Sequence, residues 1–90
     1  MKKSGAVILD VRMPQEFEQN HIEDAINIDF FGPEFKYKLL ELNKNKAYYV
    51  YCKNETRSKM TMTYMDKNGF KEVYVLKGGY QNWNVAKAEE

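Results

Sequence analysis

The sequence holds one cysteine, one histidine, one tryptophan and two prolines in 90 residues. A lone cysteine cannot close a disulfide within the chain, so the usual support of small secreted domains is missing and a reducing cytoplasm is the expected location. One cysteine with one histidine falls short of a zinc ligand set, and no metal or organic cofactor is expected. No long hydrophobic run is present either. The opening MKKSGAVILDV starts basic, but its apolar stretch is short and broken by Asp10, too little for a secretory signal or a membrane span. Nor does one sign of charge dominate. The formal net charge is +1, with Lys and Arg scattered among Asp and Glu, so no basic stripe can follow a nucleic-acid backbone. Repeats, low-complexity tracts and linker-like stretches are also lacking.

What is there suits a folded domain. Charged residues make up 30% and hydrophobic residues 43%, within the ordinary globular range. Residues 1–90 are expected to form one domain with one small core. AVILDV, residues 6–11, is a β-branched-rich run that suits a strand covered on both faces. RMPQEFEQNH follows, with Pro14 at a first helical position, Glu16 in the first turn and Asn20 as a stop. DAINIDF predicts a short strand with Ile26 and Ile28 on one face. In residues 33–42, Phe35, Leu39 and Leu42 recur at helical spacing before the polar turn NKNK. AYYVY predicts a third strand. SKMTMTYMDKNGF predicts a helix capped by Ser58, with Met60, Tyr64 and Met65 on one side, Lys67 in the last turn and Gly69 as a left-handed cap. KEVYVL predicts a fourth strand, and Gly78, Gly79, Tyr80 and Trp83 a final turn and short helix. Strands alternating with helices predict an α/β fold: a small, mainly parallel sheet flanked by helices on both faces.

The cysteine stands where the third strand gives way to a helix, and ligands of such sheets bind beyond the strands' carboxyl ends. Position alone leaves two readings of Cys52 open. Free cysteine is among the most buried residue types and often serves as an apolar filler. Alternatively, a strand, a tight loop and a helix N-terminus gather backbone N–H groups around an anion. A thiolate held there, near Lys53 and Arg57, would be a nucleophile and, in a second step, a leaving group. The polar run Lys53, Asn54, Glu55, Thr56, followed by Arg57 and Ser58, favours the reactive reading, because a filler does not require it.

Three segments resemble rhodanese-like domains. VILDVRMPQEFEQNHIEDAINI is similar to the family's Asp-Val-Arg strand end, Glu-Phe helix, His-Ile and Ala-Ile-Asn-Ile strand. YCKNETRS is similar to its Cys-x-x-Gly-x-Arg-Ser loop, and GFKEVYVLKGGYQNW to its closing strand, glycine pair and Trp-bearing helix. The resemblance implies sulfur transfer. Cys52 would take a sulfane sulfur from thiosulfate or a persulfide, hold it as a cysteine persulfide, and pass it to cyanide or a thiol. The backbone amides of Lys53, Asn54, Glu55, Thr56, Arg57 and Ser58 would hold the terminal sulfur's charge. Arg57 would brace the loop and Ser58 would cap the next helix. With no second cysteine, the acceptor would be external: a small thiol or a partner protein's cysteine.

Cysteine-dependent phosphatases place five residues between Cys and Arg. Four intervene here, and the phosphatase arginine position holds Ser58, which argues against phosphate ester hydrolysis. Two departures from the rhodanese pattern support an alternative, a module that binds or senses without turnover. Glu55 replaces a common glycine, implying either backbone strain or an altered path. Its carboxylate, if about 5 Å from the thiolate, would cost roughly 3 kcal/mol at an effective dielectric near 20. Weaker use of thiosulfate is therefore expected. The second departure is that the strand and helix that usually precede the Asp-Val-Arg strand are expected to be absent. His21 is expected to be structural, since a carrier stabilised by amides needs no general base. Asp10, Arg12 and Glu16 are expected to form a local brace, and Met60, Met62 and Met65 to fill core. The aromatics Tyr48, Tyr49, Tyr51, Tyr64, Tyr74 and Trp83 are expected to form core and pocket walls.

Overall fold

The β-branched run near the start of the chain forms strand β1 (Val7–Asp10), and Pro14 opens helix α1 (Pro14–Gln19) at a position where its missing N–H is not needed. The Met13 N–H donates to the Glu16 carboxylate at 3.1 Å, and Asn20 ends the helix. Strand β2 (Ile26–Asn27), helix α2 (Phe35–Leu40), strand β3 (Ala47–Tyr51), helix α3 (Thr56–Lys67) and strand β4 (Glu72–Val75) follow. This computed structural model describes residues 5–53 and 55–77. The expected final turn and helix at Gly78, Gly79, Tyr80 and Trp83 lie outside the described residues.

All described strand pairs are parallel, in the order β2-β1-β3-β4. The α/β architecture is therefore the expected one. From β1 the chain moves outward to β2, then crosses back over β1 to β3 and on to β4. Right-handed crossovers in opposite directions put α1 on one face and α2 with α3 on the other. The core divides accordingly. Ile8, Ile22, Ala25 and Tyr51 pack with Phe17 of α1. Leu9, Val11, Ile28, Tyr48, Val50 and Cys52 pack with Leu39 of α2 and Met65 of α3. Leu39 and Met65 are fully buried, and each contributes roughly 1.5–3 kcal/mol by leaving water. The carboxyl ends of β1 and β3 are neighbours whose following loops lead to opposite faces, the switch point at which open α/β sheets have their binding crevice.

Several local expectations are corrected. Strand β2 is only two residues long, and Ile28 enters the core while Ile26, on the edge strand, is 40% exposed. Pro33 precedes α2 rather than opening it. Helix α3 starts at Thr56, two residues before Ser58, and Glu55 is its N-cap residue. Of the α3 methionines expected in the core, Met65 is there, but Met60 is 58% exposed. Gly69 does adopt a left-handed conformation (φ +90°) after the helix, and the Phe70 N–H reaches back to the Met65 carbonyl at 3.2 Å. No helix among the described residues is long and apolar enough to cross a membrane.

Candidate active site

Alternation along β3 decides where the cysteine points. Tyr48, Val50 and Cys52 face α2 and α3, while Tyr51 faces α1. Cys52 is 0% exposed, so its side chain does fill core. It is also held by the first turn of α3. The Ser58 N–H donates to Sγ at 3.4 Å, and Sγ lies 3.6 Å from the Ser58 hydroxyl oxygen. That hydroxyl donates to the Glu55 carbonyl at 3.1 Å, leaving its lone pairs for the thiol proton. The filler and the cradled sulfur thus describe the same atom.

The other expected cradle residues are placed unequally. Thr56 and Arg57 are the first two residues of α3, whose N–H groups have no acceptor within the helix. Lys53 is exposed, and Asn54 lies outside the described residues. Glu55 has φ −125°, within the region open to any residue, so the strain expected from the missing glycine is absent. Its carboxylate pairs with Lys59 one turn later at 3.3 Å. The Arg57 guanidinium meets a ring from a different loop. Its carbon lies 5.5 Å from the ring centroid of Phe31, in the loop after β2.

The brace at the end of β1 is more extensive than the sequence indicates. The Arg12 N–H and Nε donate to Asp10 Oδ1 at 2.7 and 3.2 Å, and Nε and Nη2 donate to Oδ2 at 3.0 and 2.9 Å. Nη2 also reaches the Asn20 carbonyl at 2.6 Å. Asn27 ties in β2 by donating its side-chain amide to the carbonyls of Asp10 and Arg12 at 3.0 and 3.1 Å. The Ile22 N–H donates to the Tyr51 hydroxyl at 3.1 Å, and the Arg12 guanidinium lies over the Tyr51 ring. Burial pushes the Tyr51 phenol well above its ordinary range. Burial alone would lower Arg12, but the hydrogen bonds and charge of Asp10 outweigh it and hold the guanidinium more firmly protonated. Glu16 caps α1 instead of joining this carboxylate–guanidinium pair. His21 stacks on Phe17 at 3.7 Å between centroids, and its Nδ1 pairs with the Phe17 carbonyl. That places it with α1, across the sheet from the Cys52 side chain.

A buried sulfur receiving an amide from a helix start thus lies at the carboxyl edge of a parallel sheet. The chain belongs to the rhodanese-like domain family, which it matches over residues 1–86. It is 33% identical over 91 residues to the thiosulfate sulfurtransferase GlpE of Pseudomonas syringae pv. syringae (strain B728a), covering 100% of this chain and 83% of that one. It is 41% identical over 78 residues to the uncharacterized protein YqhL of Bacillus subtilis (strain 168), covering 87% of this chain and 60% of that protein. Among solved structures, a rhodanese-related protein from Thermoplasma volcanium superposes with a TM-score of 0.80 at 29% identity, covering 91% of this chain and 79% of that one.

Proposed function

We propose that the protein is a sulfurtransferase that carries sulfane sulfur as a persulfide on Cys52. The observation that carries this reading is the Ser58 amide, aimed at the Cys52 sulfur from the first turn of α3. An amide and a helix N-terminus favour negative charge on that sulfur and, after transfer, on the sulfur attached to it. The Cys52 thiolate attacks the outer sulfur of thiosulfate. An S–S bond forms, the donor S–S bond breaks, and sulfite leaves with the electron pair. With a persulfide donor, the leaving group is the donor's thiolate. An acceptor thiolate, or cyanide, then attacks the outer sulfur and releases the Cys52 thiolate. In the thiol form the Ser58 hydroxyl accepts from sulfur, and on ionisation its hydrogen can turn from the Glu55 carbonyl to the thiolate. The amides of Lys53, Glu55, Thr56 and Arg57 are assigned to the same cradle on this reading. Its members supply charge stabilisation, not proton transfer, so no histidine is required.

A binding module without turnover is the second reading, and the complete burial of Cys52 favours it. Intact mass of the reduced protein separates the two. After brief exposure to thiosulfate or a small persulfide, the wild type should gain one sulfur atom and Cys52→Ser should not, with cyanide reversing the gain and releasing thiocyanate. No adduct and no thiocyanate from either donor would leave the binding module as the reading to pursue.

A further inference from the structure

Phe31 is 65% exposed, yet a built turn fixes its place. Its N–H donates to Asp29 Oδ1 at 3.0 Å, and the Gly32 N–H donates to the Asp29 carbonyl at 3.0 Å. A Cβ on Gly32 would stand 3.3 Å from that carbonyl oxygen, so the turn closes most easily with glycine. The Phe31 ring meets Phe30 edge to face at 5.3 Å, and Phe30 meets Phe35 of α2 at 5.0 Å. Phe30 and Phe35 both pack on the core cluster that holds Cys52, so the turn belongs to the same face as the sulfur.

Arg57 comes to this ring from the other side. Strands β2 and β3 are separated by β1, a gap of about 10 Å at ordinary strand spacing. The Arg57 side chain and the Phe31 ring together span that gap at the sheet's carboxyl edge, where Cys52 directly follows β3. Among the described residues no ion pair engages Arg57, whereas the nearby Glu55 is paired with Lys59. A guanidinium held by a ring keeps its charge and its outward N–H groups for an incoming anion.

We propose that Phe31 is a positioning residue for anionic substrates, its ring holding the guanidinium of Arg57 over the approach to Cys52. Sulfur donors bearing negative charge are thereby favoured over neutral ones. The donor part rests on the sulfurtransferase reading, but the electrostatic part does not. Alkylation of Cys52 isolates the latter, because the sulfur displaces iodide from anionic iodoacetate and from neutral iodoacetamide by the same S–C bond formation. Phe31→Leu should lower the iodoacetate-to-iodoacetamide rate ratio about threefold, the size expected from an exposed cation–π contact, while Phe31→Tyr preserves it. Added salt should narrow the wild-type ratio. For thiosulfate, Phe31→Leu should raise KM by a similar factor with kcat retained. An unchanged ratio in Phe31→Leu, an equal loss in Phe31→Tyr, insensitivity to salt, or no reaction of Cys52 with either reagent would each overturn the proposal. Should thiosulfate deliver no sulfur while the alkylation ratios shift as expected, the sulfurtransferase reading fails and the role of Phe31 stands.

Discussion

At the scale of single residues, Glu55 shows how a charge at a conspicuous position can be disarmed by its neighbours. As a substitute for glycine beside a reactive sulfur, it suggests strain and repulsion. Its φ of −125° removes the first, and Lys59 at 3.3 Å offsets much of the second. We therefore predict that any handicap with thiosulfate is small. Glu55→Gly should change kcat/KM for thiosulfate by less than about twofold, a ΔΔG‡ under about 0.4 kcal/mol. It should also lower stability by about 0.5 kcal/mol, because glycine loses backbone freedom without relieving any strain. Steady-state kinetics and urea unfolding check both, and a tenfold gain in kcat/KM would show that the carboxylate acts on the sulfur after all.

Helix α3 illustrates what an element contributes beyond its residues. Its start at Thr56 moves Ser58 from the cap to the third helical position, where the backbone N–H points at Sγ and the side chain bonds back to Glu55. Backbone and side chain of one residue thus have separable roles. Ser58→Ala keeps the amide and removes the hydroxyl. It should cost about 1 kcal/mol of stability, the net worth of an ordinary buried hydrogen bond, and leave persulfide formation intact. Intact mass after donor exposure, set against the urea midpoint, reads the two effects. Loss of the persulfide at unchanged stability would assign the charge stabilisation to the hydroxyl instead.

Across the whole molecule, the Asp10–Arg12 pair and Tyr51 bind β1, β2, β3 and the segment after α1 into one frame around the crevice. Tyr51 makes that frame sensitive to alkali. Its phenol is buried neutral and titrates above the ordinary value of 10.0, so the unfolded chain loses its proton first. The associated stability is complete below pH 10.0 and is lost as pH rises from there towards the folded-state value. Denaturant unfolding should show stability falling by up to about 1.4 kcal/mol per pH unit for this group above pH 10. Tyr51→Phe should flatten the decline, with a residual slope from Tyr48, which burial also raises. Equal slopes in the two proteins would rule out this linkage.

Much of this arrangement is legible along the chain because it depends on local chemistry. Alternating β-branched runs and helical patterns specify a parallel α/β sheet, and Pro14 and Gly69 act through φ alone. Cys52 at a strand end, with Arg57 and Ser58 at fixed distance, marks the site because loop length limits what the loop can enclose. Other features depend on residues far apart in sequence. The order β2-β1-β3-β4 sets the crevice, and burial at an edge or centre separates Ile26 from Ile28 and Met60 from Met65. The partners of Glu55 and Arg57 were decided by where α3 begins and where the loop after β2 returns. An unpaired FF in a loop carries no sign of the guanidinium it will meet, since only packing brings residues 31 and 57 within 5.5 Å.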